Sequence, residues 1–379
     1  MEPYGFASPR LTLFGRGCRT EAAAHIAMLG RKVLLVRGRS VAWAGDLRSG
    51  LEAAGLRVVE TLAQGEPTVG QVRAALETCR SFGPDCVVAI GGGSVVDLAK
   101  ALAALLPAGG DPLDYLEGVG KGLTLDPDPL PLVAIPTTAG TGAEATRNAV
   151  LGVPDRGLKI SLRDTRMIPR LAIVDPALTD DAPRALTLAT GLDALTQLIE
   201  AYLSIRANIV TDALCRDAAP KGIAALGRLM KGEDPLARDA MARASHLSGL
   251  ALANAGLGIV HGLASVIGGR GGSHGAICGR LLPAALAVNE RAARKAGLPT
   301  DRFVQVDEWL AQGLGGEVGR GSDCLRQFAD AHGLPSLRAL GCDAGEEGDI
   351  ARAAMTASST KGNPVRLDLE EIVDILARS

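Results

Sequence analysis

Residues 86–100 read CVVAIGGGSVVDLAK, five apolar positions followed by three glycines and the start of a helical pattern. Cys86 to Ile90, bounded by Pro84 and Gly91, is a candidate strand, and the spacing predicts a helix from Ser94. A strand written as a continuous Val/Ile run is covered on both faces, which is the habit of a parallel sheet packed between helices. The same alternation extends outward in both directions. Upstream, Lys32 to Val36 (KVLLV) is a strand, Leu51 to Val59 a helix leading into a strand that ends near Thr61, and Gln71 to Phe82 a helix. Downstream, Leu132 to Ile135 is a strand ending at Pro136. Further extended segments follow between Val150 and Asp175, closing with Leu171 to Val174 and the turn Asp175-Pro176. The pattern predicts an α/β fold whose N-terminal part is a doubly wound parallel sheet of the nucleotide-binding kind.

After Thr179 the pattern changes. From Arg184 onward, Ala, Leu and Arg recur at helical spacing, broken by Gly and Pro, with little that reads as strand. This places a domain boundary near residue 180, with an α/β domain over 1–180 and an all-α domain over 181–379. The bulk composition of the 379 residues suits two globular domains: 47% of the residues are hydrophobic and 22% charged. Aromatic residues make up only 3%, so the cores must be filled by small aliphatic side chains. A formal net charge of -2 gives no electrostatic reason to expect nucleic acid or an anionic membrane as partner. Small molecules are the expected partners. With no leading apolar segment and no apolar run near the ~20 residues of a membrane span, the expected location is the cytoplasm. Seven cysteines at irregular spacing, without a CxxC pair, read as buried free thiols.

Five segments carry candidate chemistry. Gly91-Gly92-Gly93-Ser94, between strand and helix, lets a backbone approach a ligand closely and presents the free N–H groups of a helix start to a phosphate. The alternative is a glycine turn capped by Ser94. The segment PTTAGTGAEATRNAV (136–150) also follows a strand, and its hydroxyls can line the same cleft or cap a turn. In GLDALTQLIEAYLS (191–204), Asp193 and Gln197 are one helical turn apart on one face. His261 in GLGIVHGLAS and His274 in GGSHGAICGR follow. A carboxylate with imidazoles suits Zn²⁺ or Fe²⁺, with an amide oxygen as a weak fourth contact. Taken singly, each histidine reads as a core or capping residue sooner than as a ligand.

In order and rough spacing, these segments resemble the iron-containing (group III) alcohol dehydrogenases. LLPAALAVNE (281–290) and Asn363-Pro364 are similar to that family too, so the resemblance covers essentially the whole chain. It implies hydride transfer between NAD or NADP and a small alcohol or aldehyde, assisted by Fe²⁺ or Zn²⁺, in a homodimer or larger homo-oligomer. It also implies that Gly91, Gly92, Gly93, Ser94 and Asp97 serve the cofactor pyrophosphate, with Thr137, Thr138, Thr141, Asn148 and Lys159 lining the rest of the cleft. The family's metal ligands, one Asp and three His, fall on Asp193, Gln197, His261 and His274, with Asp193, His261 and His274 as the catalytic set.

This sequence departs from the family at three places. Gln197 replaces an imidazole, a weaker ligand, although the related glycerol dehydrogenases hold zinc by one Asp and two His. Ser265 replaces a second histidine one turn after the first, which leaves no clear proton-transfer group. Gly268–Ser273 is a glycine-rich loop about one residue shorter than the family pattern. Cofactor choice turns on LLVRGRS (34–40), where Gly38 occupies the position of the NAD-selecting aspartate between Arg37 and Arg39, which favours NADP. Arg270, in the loop before His274, is a candidate anchor for an acidic substrate. The rival expectations are a metal-independent reductase resembling maleylacetate reductases and an inactive nucleotide-binding homologue.

Overall fold

The computed structural model describes residues 3–116 and 119–379. In the α/β unit the strands are β1 (Leu11–Phe14), β2 (Lys32–Arg37), β3 (Arg57–Leu62), β4 (Cys86–Gly91), β5 (Leu132–Pro136), β6 (Asn148–Val153), β7 (Leu158–Arg163) and β8 (Leu171–Val174). Its helices are α1 (Ala22–Ala27), α2 (Ala44–Ala53), α3 (Val69–Arg80) and α4 (Gly93–Ala108). Six strands form one parallel sheet in the order β1-β8-β5-β4-β2-β3. All six residues of β4 are buried because the sheet is covered twice. Leu34, Val36, Val87 and Ala89 pack with α3 and α4, while Val33, Leu35, Val88 and Ile90 pack with α1 and α2. The order of strands reverses between β2 and β4, and in such sheets the ends of the two strands flanking the reversal open on a crevice.

Several boundaries differ from the expected ones. The helix expected over 51–59 is α2, which begins at Ala44 and ends at Ala53. Gly55, at φ +80°, turns the chain there, and Val58 and Val59 join β3. The helix expected over 71–82 is α3, started two residues earlier by Thr68, whose side chain accepts from the Gln71 N–H while Gln71 reaches back to the Thr68 N–H. The extended residues after Val150 form an antiparallel hairpin, β6–β7, separate from the main sheet.

The second unit comprises Asp180–Ser379, residues 139–142 and the described residues through Phe6. Its helices are α5 (Arg184–Leu203), α6 (Ile209–Leu229), α7 (Pro235–Ala255), α8 (Ile259–Gly268), α9 (His274–Lys295), α10 (Asp301–Leu314), α11 (Gly321–Ala331), α12 (Glu347–Thr356) and α13 (Leu369–Arg378). Thr141 therefore groups with the helices, whereas Thr137 and Thr138 lie in the α/β unit. The reason is local: Gly142 lies so near the backbone of Gly249 and Ser245 that a Cβ there would fall 2.5–2.6 Å from their atoms. Pro220 and Pro283 do not break helices as expected but lie inside α6 and α9. No single described helix is long and apolar enough to cross a membrane.

Candidate metal centre and nucleotide turn

From Gly191 to Leu203 every residue of α5 is buried, so this helix is surrounded by its neighbours. Within that apolar setting, Asp193, Gln197 and Glu200 recur at i, i+4 and i+7 and form one polar stripe. A buried polar group needs a partner. Glu200 finds three: its carboxylate accepts from the Val260 N–H (2.7 Å), the His261 N–H (3.3 Å) and His261 Nδ1 (2.6 Å). The Gln197 amide oxygen accepts from the Ser248 hydroxyl at 2.8 Å. Asp193 Oδ1 is left without a hydrogen bond, and so is His261 Nε2, though both are buried.

These two atoms face each other at 3.5 Å. His274 Nε2, at the first turn of α9, is 3.8 Å from Asp193 Oδ1. Cys278 Sγ, one turn further along α9, is 3.7 Å from His274 Nε2. Ligand atoms of Asp193, His261, His274 and Cys278 all lie within 4.8 Å of one another. Bonds of about 2.0–2.3 Å in a tetrahedron set ligand–ligand edges of roughly 3.3–3.6 Å, so the spacings of 3.5, 3.7 and 3.8 Å are already close to those edges and the wider ones must close in around an ion. The donor set fits a divalent transition metal. Because Glu200 binds His261 at Nδ1, Nε2 is the ring nitrogen turned towards the cluster, the carboxylate–histidine arrangement that orients metal ligands.

The four groups act strongly on one another's ionisation. Burial opposes ionisation of Asp193, yet the His261 and His274 imidazoles hold its carboxyl below its ordinary value. Burial likewise opposes charge on the imidazoles, but Cys278 and Asp193 keep His261 well above its usual value and lift His274 to about 9. Cys278 is pushed down by the same two imidazoles against the effect of its burial. Two groups that ionise readily as anions thus face two imidazoles around one point.

Helix α8, which carries His261, is itself anchored. The Asn363 side-chain oxygen accepts from the Ile259 N–H at 3.0 Å, and its Nδ2 donates to Asn289 Oδ1 (2.6 Å) and to the Val365 carbonyl (2.7 Å). Gly258 is required at the turn into α8, because a Cβ would lie 2.8 Å from both Asn363 Oδ1 and Glu200 Oε1.

In the α/β unit, the residues of the glycine turn come together at the carboxyl ends of β2, β4 and β5. Gly38 N–H donates to the Ile90 carbonyl (3.2 Å), and Thr137 N–H donates to the Gly91 carbonyl (3.0 Å). A Cβ on Gly91 would strike Val95 at 2.4 Å, so the backbone needs glycine here. Helix α4 starts at Gly93, not at Ser94, and its cap residue is Gly92, without a side-chain cap bond. Its first N–H groups are left for a ligand. Asp97 and Lys100 of the same segment reach the β6 region: Asp97 Oδ2 accepts from the Val150 N–H (3.2 Å), and Lys100 Nζ donates to Thr146 Oγ1 (2.7 Å) and the Asn148 carbonyl (3.0 Å).

A family model described as iron-containing alcohol dehydrogenase matches residues 9–176, and one described as the C-terminal domain of the same family matches residues 187–379. The chain belongs to the iron-containing alcohol dehydrogenase family. Among curated relatives of this dehydrogenase, the NAD-dependent methanol dehydrogenase of Bacillus methanolicus is 33% identical over 390 residues, covering 98% of each chain. Alcohol dehydrogenase 4 of Schizosaccharomyces pombe is 40% identical over 287 residues, or 73% of this chain and 66% of that protein. A crystal structure of 1,3-propanediol oxidoreductase superposes with a TM-score of 0.89 at 29% identity, covering 99% of both chains.

Within this dehydrogenase the other residues singled out from sequence have other partners. Lys159 forms an ion pair with Glu66. Arg37 donates to Glu60 at 2.9 Å, which leaves Arg39 as the exposed guanidinium beside Gly38. The Ser265 hydroxyl donates to the Gly262 carbonyl at 2.8 Å. Arg270 pairs with Glu346 and donates to the Gly341 carbonyl, so its charge is already matched. The sequence reading missed Glu200, Lys100 and Cys278. Glu200 completes the polar stripe of α5, and Cys278 follows His274 at i+4, so both were signalled by helical spacing.

Proposed function

We propose that this family member transfers a hydride between a nicotinamide cofactor and a small alcohol or aldehyde, with a divalent ion, Fe²⁺ or Zn²⁺, held by Asp193, His261 and His274. The observation that carries this reading is the pair of buried, unbonded atoms Asp193 Oδ1 and His261 Nε2, which face each other beside His274. Apart from that 3.5 Å ion-pair contact with each other they have no hydrogen-bond partner, and a cation satisfies both. When bound, the ion supplies a Lewis acid for the substrate oxygen, and the nicotinamide supplies the redox chemistry. Asp193 contributes the charge that holds the ion. Glu200 fixes the His261 ring. Gly92, Gly93 and Ser94 present the open start of α4 to the pyrophosphate, with Thr137, Thr138 and Asn148 lining the rest of the cofactor site. The Ser265 hydroxyl donates within its own helix, so proton exchange at the substrate oxygen falls to water or another group.

NADP is the favoured cofactor, because Gly38 offers no carboxylate to repel a 2′-phosphate and Arg39 stands exposed beside it. The enzyme works in the cytoplasm as a homodimer or larger homo-oligomer, and its free cysteines agree with a reducing compartment. The test is to strip the enzyme with a chelator, reload it with Fe²⁺ or Zn²⁺, and compare kcat/KM with NADPH and NADH over a panel of short alcohols and aldehydes. Activity is expected to vanish on stripping, return on reloading, and be absent from Asp193→Ala. Full activity in the stripped enzyme makes this a metal-independent reductase, and a strong NADH preference removes the NADP assignment.

A further inference from the structure

We infer that Cys278 is a thiolate ligand of the same ion and takes the place that the family pattern gives to residue 197. The inference rests on the metal reading above. Three independent observations converge on it. First, Cys278 is fully buried, and its sulfur lies with the ligand atoms of Asp193, His261 and His274 inside a 4.8 Å cluster that contains the two unbonded buried atoms. Second, the packing of α9 on α5 brings it there. A Cβ on Gly275 would fall 2.3 Å from the Ala189 carbonyl and 3.1 Å from Asp193 Cβ, and a Cβ on Gly279 would fall 2.5 Å from Leu192. Glycine on both sides of Cys278 lets the two helices approach until the sulfur reaches the depth of the carboxylate. Third, the residue expected to be the fourth ligand has a polar neighbour outside the cluster: the Gln197 amide oxygen lies 2.8 Å from the Ser248 hydroxyl, whose one proton also faces the Ser245 carbonyl at 2.7 Å.

The chemistry follows from the donor set. Binding releases the thiol proton, and a thiolate with a carboxylate gives two negative charges to set against a dication. One carboxylate with three imidazoles gives only one. Thiolate donors favour zinc over the harder ferrous ion, so the site selects Zn²⁺ more strongly than a site of carboxylate and imidazoles does.

Cobalt substitution tests this without relying on turnover. Stripped wild-type enzyme is loaded with Co²⁺ and its absorption spectrum recorded beside those of Cys278→Ser, Cys278→Ala and Gln197→Ala, each checked for folding by circular dichroism. Expected are a near-ultraviolet thiolate-to-cobalt charge-transfer band in wild type and Gln197→Ala, and its loss in both Cys278 variants while the visible ligand-field bands persist. Changes in outer-shell partners alone cost about 10–100-fold in metal affinity, so loss of a direct ligand is expected to lower Zn²⁺ affinity by at least ~100-fold. Ligand-field bands in wild type without the charge-transfer band overturn the inference while leaving the metal site in place, as does a band that survives in Cys278→Ser. The absence of any cobalt spectrum overturns the metal reading and this inference together.

Discussion

Glu200 touches no position where an ion would sit, yet it fixes two things at once. Its carboxylate accepts the N–H groups of Val260 and His261 at the start of α8 and holds His261 Nδ1. A glutamine at this position keeps one acceptor and turns an NH₂ group towards either the helix start or the imidazole. Glu200→Gln is therefore expected to weaken Zn²⁺ binding by about 10–100-fold, read by competition against a chromophoric chelator. Unchanged affinity in a folded variant removes the orienting role. The same residue illustrates what sequence reading reaches. Asp193 and Gln197 stand out because they match family positions, while Glu200 looks like one more acid on a helix until the whole of α5 is found to be buried. Cys278 was passed over for a related reason. A search for CxxC looks for ligands that neighbour each other in sequence, whereas these come from α5, α8 and α9.

At the scale of elements, α4 is fastened one turn into its length and not at its start. Its start is open for a ligand, and one turn on, Asp97 and Lys100 tie it to residues 146–150 at the start of the β6–β7 hairpin. Two of the segments that carry the family resemblance are thus bonded to each other. Lys100 is buried, and burial lowers its ammonium to about 8 from 10.5, although Asp97 and Glu144 work in the other direction. Between those values the unfolded chain holds the proton and the folded chain does not, so this group makes stability rise with pH from about 8 to 10.5. Lys100→Met is expected to flatten the slope of Tm against pH over that interval, while an unaltered slope in the variant contradicts it. Element order here was legible because strands buried on both faces are written as Val/Ile runs. The helix limits were less so, since α2 ends at a glycine turn that apolar spacing does not register. The pairing of β6 with β7 apart from the main sheet depends on partners that no local pattern names.

The whole molecule comprises an α/β unit and a helical unit, and each carries one of the two tryptophans, Trp43 and Trp309. All four clustered ligands belong to the helical unit. An ion bound only by the folded form stabilises it by about 2.7 kcal/mol at a free concentration 100 times its Kd. In a Trp43→Phe variant, chelation is accordingly expected to lower the thermal midpoint reported by Trp309 fluorescence, and Zn²⁺ to restore it. A midpoint indifferent to both treatments speaks against an ion in the helical unit. The two-part division was visible in the sequence as the change of period after Thr179, but the grouping of residues 139–142 with the helices was not, because it depends on Gly142 meeting Gly249 across more than a hundred residues.

Asn363 holds the first N–H of α8, two residues before His261. The donors for one ion are therefore gathered from positions 193 to 278, and the helix presenting one of them is secured by a side chain 85 positions further on. During synthesis the chain must have emerged at least through Asn363 before this pocket is complete, so any ion is captured late, after the helices that hold it have met.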